Sequence, residues 1–245
     1  MQVIGFAGPA RVGKTFTTEA LKTQAEAAGW AVVVLPFAKP LKDEAAARGF
    51  GKEEKPEEYR KFCQEYGAEM RATDENYWLK AWRAALIVVR DEHFDDDDCR
   101  LPLLVIADDV RYENELDAIT DAGGYTFFVH PGDRELPEAS AAWRTHESEM
   151  LANTMIGNPT LATQNFDFVM YNNLDSAEIT TWAKAAMKLV ISHPGDRSDY
   201  CDCEGCNSSM ENRPVNADQI MKELDDLMDD INRREDERED DDNDN

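Results

Sequence analysis

The stretch Gly8-Pro9-Ala10-Arg11-Val12-Gly13-Lys14-Thr15 restricts what this chain can fold into more than any other, because it fits G-x-x-x-x-G-K-[ST] without a gap. The apolar run Val3-Ile4-Gly5-Phe6-Ala7 before it reads as a buried strand. After it, Phe16, Ala20, Leu21, Ala25 and Ala28 recur at helical spacing until Gly29 supplies a stop. Strand, glycine turn and helix in that order make a phosphate-binding loop. Glycines let backbone N–H groups close around phosphate oxygens, and the helix N-terminus adds partial positive charge. The candidate nucleotide-binding residues are Gly8, Arg11, Val12, Gly13, Lys14, Thr15 and Phe16. Lys14 is suited to the β- and γ-phosphates, and the Thr15 hydroxyl to Mg²⁺. The bland alternative is a glycine turn that fits by chance. Three fixed residue types and two correct flanking elements weigh against it.

At 245 residues the chain can bury a full core, and one domain with appendages is expected. A net charge of −25 argues against a general grip on nucleic acid or an anionic membrane. Part of that acid is local. Asp95-Asp96-Asp97-Asp98 is one run, and 234–245 is mostly Asp and Glu, so the folded body is less acidic than the total. No apolar run is long enough for a bilayer, and the first strand leaves no room for a signal peptide. A cytoplasmic protein with reduced cysteines is the expectation.

Further strands are expected at 30–37, 103–109, 125–129 and 166–171. The first of these is continuous and β-branched, as a strand buried on both faces would be. Helices are expected at 57–72, where Pro56 sits at an N1-like position, at about 75–90, at 113–122, at 144–153 and at about 176–190. Trp78, Trp82, Leu86 and Val89 form one stripe, which reads as core rather than a base-stacking platform. Apolar strands separated by helices predict an α/β fold with a five-stranded parallel sheet and helices on both faces. Residues 130–143 are polar and punctuated by Pro and Gly, as suits a lid.

Asp108-Asp109 closes the third strand. Asp109 is placed like the acid that orients Mg²⁺, and Asp108 competes because adjacent strand residues face opposite ways. Capping of the next helix is an equal alternative. Arg111 follows where ligands bind in such sheets, and its guanidinium can fork onto a phosphate.

These pieces together resemble the deoxynucleoside monophosphate kinases of bacteriophages, P-loop enzymes akin to adenylate and guanylate kinases. The resemblance spans most of 1–190. It rests on the phosphate loop, on Phe37-Ala38-Lys39-Pro40-Leu41-Lys42, and on Tyr59-Arg60-Lys61-Phe62-Cys63-Gln64 with Gly67 and Arg71. It continues through Asp109-Val110-Arg111-Tyr112-Glu113-Asn114-Glu115 with Gly123-Gly124, then His146-Glu147-Ser148-Glu149, then Phe166-Asp167 and Asn172-Asn173. The resemblance implies a three-layer P-loop NTPase fold with a helical acceptor-binding insertion at about 38–90 and a lid at about 130–150. It implies transfer of the γ-phosphate of ATP, with Mg²⁺, to a dNMP. For a phage-encoded chain the location is the host cytoplasm. Lys14, Arg111 and Asp109 are then the catalytic candidates, with Thr15 and Asp109 on Mg²⁺. Lys39, Arg60, Gln64, Arg71, Arg111, Glu113 and Arg144 are the acceptor-side candidates. Lys39 departs from the acid common at that place in the family. Arg11, Arg134 and Arg144 are further cations, of which Arg134 and Arg144 fall in the lid. Tyr59, Arg60 and Gln64 share a helix face and either read the base or simply pack. The four residues from His146 fit a phosphate-side role or helix capping equally.

The kinase domain is expected to end near 191. Residues 192–216 read as a linker in which Cys201, Cys203 and Cys206 can ligate zinc, with His193 as fourth ligand, or form an unstructured reduced loop. An amphipathic helix at 217–233 has an apolar side suited to a partner such as a second copy, and an acidic, disordered tail at 234–245 follows.

Overall fold

The structure is a computed structural model that describes residues 1–51, 53, 54, 56–94, 101–134, 136, 146–173 and 176–192. The expected zinc ligands, the helix at 217–233, the acidic tail, and residues 135 and 137–145 of the expected lid, Arg144 among them, lie outside the described residues.

Five strands form one parallel sheet: β1 (Gln2–Ala7), β2 (Ala31–Val34), β3 (Leu103–Val110), β4 (Tyr125–His130) and β5 (Phe168–Tyr171), in the order β2-β3-β1-β4-β5. The described helices are α1 (Lys14–Ala27), α2 (Lys39–Ala47), α3 (Pro56–Thr73), α4 (Tyr77–Phe94), α5 (Glu113–Asp121), α6 (Met150–Gly157), α7 (Pro159–Asn165) and α8 (Ser176–Ser192). Central β1 is buried along its whole length, as its apolar sequence requires. Side chains alternate across it. Val3 faces a cluster with Leu79, Trp82, Leu86, Ile119 and Met155 of α4, α5 and α6. Ile4 and Phe6 face Leu21 and Ala25 of α1 and Ala183, Met187 and Val190 of α8. Each fully buried Leu or Ile contributes about 1.5–3 kcal/mol, so these two layers carry most of the folding energy.

The continuous β-branched run at 30–37 does not become a strand buried on both faces. Only four residues pair, and all four are half-buried, because β2 is an edge of the sheet. The chain leaves it at Leu35, and Phe37 turns into the core to stack on Trp82 at 4.4 Å. Trp82 also donates its indole N–H to Leu35 O at 2.8 Å, and Trp78 donates to Gly67 O at 3.1 Å. The tryptophan stripe is therefore core. It also divides the expected insertion, for α4 belongs to the layer covering the sheet.

The expected helix at 144–153 is shifted: a 3-10 turn (Glu147–Glu149) runs into α6. Helix α7 was not legible from periodicity. Asn158 caps it through Leu161 N–H, and Pro159 opens it.

Gly5 pairs with Ala107 whereas Ala7 pairs with Val110, so β3 carries one extra residue opposite Phe6. This bulge falls at Asp108 and Asp109. It breaks the alternation that would have sent the two carboxylates to opposite faces, and bulges near the ends of strands commonly re-aim side chains in this way.

Candidate functional site

The phosphate loop takes its shape from its glycines and from groups behind it. Gly8 has φ +142° and Gly13 φ +104°, and a Cβ on Gly8 would lie 2.6 Å from Val129 O. Neither position admits a larger residue without movement. The Val12 carbonyl is held by two donors, Asn172 Nδ2 at 2.7 Å and Arg134 Nη2 at 3.0 Å. Arg134 Nε donates in turn to Asn172 O at 2.6 Å. Asn172 is fully buried at the end of β5, so strand and loop are locked together. Arg134, a lid candidate by sequence, thus braces the back of the loop.

Lys14 opens α1 and folds over the loop, donating to Gly8 O at 2.7 Å and Pro9 O at 2.9 Å. Burial, then the nearby Arg111 charge, pull its pKa down to about 8, while Glu149, Asp109 and Asp108 oppose that. At neutral pH the amine stays mostly charged in a poorly solvated place. Thr15 and Phe16 are exposed at the start of α1, and Arg11 is exposed with φ +66°. The glycine cradle, the charged lysine and the free hydroxyl fit the phosphates and metal of Mg·ATP.

Asp109 has another occupation. Its carboxylate accepts Phe37 N–H at 2.6 Å and Ala38 N–H at 3.2 Å, and pairs with Lys42 at 3.4 Å. It ties the turn after β2 to the end of β3. Asp108 feels the charges of Lys14 and Lys42, and burial first, then Asp109, push its pKa up.

Arg111 sits beyond the bulge with its guanidinium paired to Glu149, whose other oxygen accepts Ala10 N–H of the loop at 3.3 Å. Its backbone is fixed separately, because Glu115 accepts Arg111 N–H at 2.7 Å and Tyr112 N–H at 3.2 Å. Burial, then Asp109, raise the Glu115 pKa to about 7, against the two N–H groups and Arg71. Arg71 reaches over from α3, 3.8 Å from Glu115, with its guanidinium 4.0 Å above the Tyr112 ring. Glu115 therefore holds the Arg111 backbone and faces the Arg71 guanidinium, while the Arg111 guanidinium goes to Glu149.

The other described acceptor-side candidates are Lys39, Arg60, Gln64 and Glu113. Lys39 pairs with Asp43 at 2.6 Å and Arg60 with Glu57 at 3.3 Å, each within its own helix. Gln64 is half-buried on α3, and Glu113 is exposed in the first turn of α5. Among the described residues no group of three or more His, Cys, Asp or Glu is placed to hold a metal ion, and no helix is long and apolar enough to cross a membrane.

Three contributors carried weak signals in the sequence. Glu115 stands at the third position of its helix, where an acid reaches back to free N–H groups. Asn172 is a polar residue ending an apolar strand. Glu149 belongs to the run from His146 that fitted a phosphate-side role or helix capping, and its contact spans 139 residues.

No family model matches the chain, and no curated protein matches it. Among solved structures it is similar to a shikimate kinase from Bacteroides thetaiotaomicron, with 13% identity and a TM-score of 0.39, covering 77% of this chain and 98% of that one. It is also similar to a shikimate kinase from Acinetobacter baumannii in complex with shikimate, with 14% identity and a TM-score of 0.32, covering 80% of this chain and 96% of that one.

Proposed function

We propose that this chain is a phosphotransferase that moves the γ-phosphate of Mg·ATP onto a small anionic acceptor. The observation that carries the reading is the convergence of Lys14, on its glycine loop, with Arg111 at the end of β3, where Arg71 also arrives. Phosphoryl transfer is governed by positioning and charge neutralisation, and this is a site of cations and backbone N–H groups. In the transfer an acceptor oxygen bonds to the γ-phosphorus while the bridging β–γ oxygen leaves with ADP. Lys14 exchanges loop carbonyls for phosphate oxygens, and Arg111 takes the charge that spreads over the transferring group. The metal is assigned to the Thr15 hydroxyl and Asp108 rather than to Asp109, whose oxygens accept two backbone N–H groups.

The finer half of the proposal is that the acceptor is a dNMP, with Arg71 and Arg111 on its 5′-phosphate. Lys39, Arg60, Gln64, Glu113 and Arg144 remain candidates for contacts to the rest of it. Arg71 and Arg111 support an anionic acceptor and add nothing for a base, so another small-metabolite kinase, of dephospho-coenzyme A or a sugar acid, is the second reading. The solved structures reported above are named for neither a nucleotide nor these acceptors.

A coupled ADP-release assay with ATP, the five common dNMPs, dephospho-coenzyme A, shikimate and sugar acids tests both halves. Acceptor-stimulated release is expected, largest with a dNMP. Release only with another acceptor would sink the finer half. Slow ATP hydrolysis that no acceptor stimulates would replace the kinase with a nucleotide-binding switch.

A further inference from the structure

The Glu149 carboxylate lies where an anion belongs, among groups that a phosphate would use. Oε2 accepts the Ala10 N–H inside the glycine loop at 3.3 Å, and Oε1 pairs with the Arg111 guanidinium. Lys14 is close enough for the two charges to act on each other. A loop N–H, an arginine and the loop lysine are the donors that a transferring phosphoryl group takes. The Glu149 side chain is only 12% exposed, so it is packed into this mouth rather than lying across it. The turn that delivers it is braced. His146 Nδ1 accepts Ser148 N–H at 3.2 Å, Glu149 N–H donates to His146 O at 2.9 Å, and Ser148 O accepts from Arg111 at 3.4 Å.

Building on the phosphotransferase reading, we propose that Ala10 N–H, Arg111 and Lys14 form the subsite of the transferring phosphate, and that Glu149 fills it as a built-in carboxylate which the phosphate displaces. Both anions need the same donors, and two negative charges face to face in a poorly solvated mouth repel strongly. The phosphate, with more charge and more acceptor oxygens, prevails. Displacing Glu149 also loosens the Ser148 contact to Arg111, so filling the loop is transmitted to the turn that leads into α6. Glu149 thereby lowers nucleotide affinity, because part of the binding energy goes to removing it. The rival role, in which Glu149 stays and holds the metal, predicts the opposite sign.

Calorimetric titration of the full chain with ATP, and separately with inorganic pyrophosphate, each with and without Mg²⁺, decides between them. Glu149→Gln should bind both probes on the order of tenfold more tightly, equivalent to about 1.4 kcal/mol, with or without the metal. Glu147→Gln removes the same charge from an exposed position of the same turn and should bind like the wild type. Equal or weaker binding by Glu149→Gln, tightening in both variants, or a loss confined to the Mg²⁺ arm would each overturn the proposal. Hydrogen exchange on the unmodified protein covers the case in which that variant does not fold. The Glu149 amide should exchange faster once pyrophosphate is bound, and unchanged or slower exchange would overturn the proposal equally. Pyrophosphate bound more tightly by the variant, without any binding of ATP, would keep the subsite and remove the kinase reading instead.

Discussion

The donor and acceptor sides of this site are built from different materials. The donor side is one continuous segment, 8–15, whose chemistry lies in backbone N–H groups and one lysine, with glycine φ angles setting its shape. The acceptor side and the mouth it shares with the loop consist of side chains from three distant places: Arg71 on α3, Arg111 with Glu115 around the start of α5, and Glu149 before α6. A backbone cradle holds its form because the strand and helix around it are buried. A cluster of side chains holds its form only through charge pairs, and these respond to ligand and pH. The donor side should therefore keep its shape unless its own residues or the groups that brace it change, whereas the side-chain cluster should be tunable.

Lys14→Ala tests the donor side most severely. Turnover should fall roughly a hundredfold or more with the fold intact, as expected for losing a preorganised charge. Near-normal turnover in a folded Lys14→Ala protein would remove the central claim. Arginine-to-lysine changes test the acceptor side, because lysine keeps the charge and loses the fork. Arg71→Lys should lower kcat/KM for the acceptor by roughly tenfold with ATP affinity unchanged. Arg111→Lys should cost at least as much, and more of the loss should fall in kcat, since Arg111 stands between loop and acceptor. Loss of ATP binding in the Arg71 variant would erase the division between the two sides.

Smaller effects sharpen the division. Asn172→Ala removes the fully buried donor to Val12 O, leaving Arg134 to hold that carbonyl. It should destabilise the fold by about 1–2 kcal/mol and raise KM for ATP but not for the acceptor, measured by urea unfolding and steady-state kinetics. Glu115 supplies the pH test. Its folded pKa of about 7 lies above the ordinary 4.5, so the folded protein keeps a proton that the unfolded chain has released. The stability it contributes is full below pH 4.5 and is lost as pH rises through 7. The stability difference between wild type and Glu115→Gln should shrink by on the order of 3 kcal/mol across that window. A flat difference would mean that the two N–H donors and Arg71 cancel the effect of burial and Asp109.

How much was legible follows from the same contrast. The strand, turn and helix from Gln2 to Ala27 could be read directly, since period, glycine spacing and residue type all lie within one stretch. The tryptophan stripe was legible for a similar reason, and α4 shows it packed against the sheet. Edge position was not. The run at 30–37 has the composition of a central strand, and only pairing with β3 on one side makes it an edge. The bulge at Asp108 and Asp109 was also out of reach, because it depends on an extra residue in β3 relative to β1, a register that neither strand contains alone.

By itself the sequence determined a phosphate loop between a buried strand and a helix, and an alternation of apolar strands and helices that leads to a parallel sheet. These are local properties, decided by backbone conformation and periodicity within a few turns of chain. The tertiary structure alone decided that Arg134 and Asn172 brace the loop from behind, that Arg71 reaches Glu115, and that Glu149 rests on Ala10 and Arg111. Those contacts join residues 38 to 160 positions apart, and their partners are ordinary charged or polar residues whose roles arise only where folding brings them together.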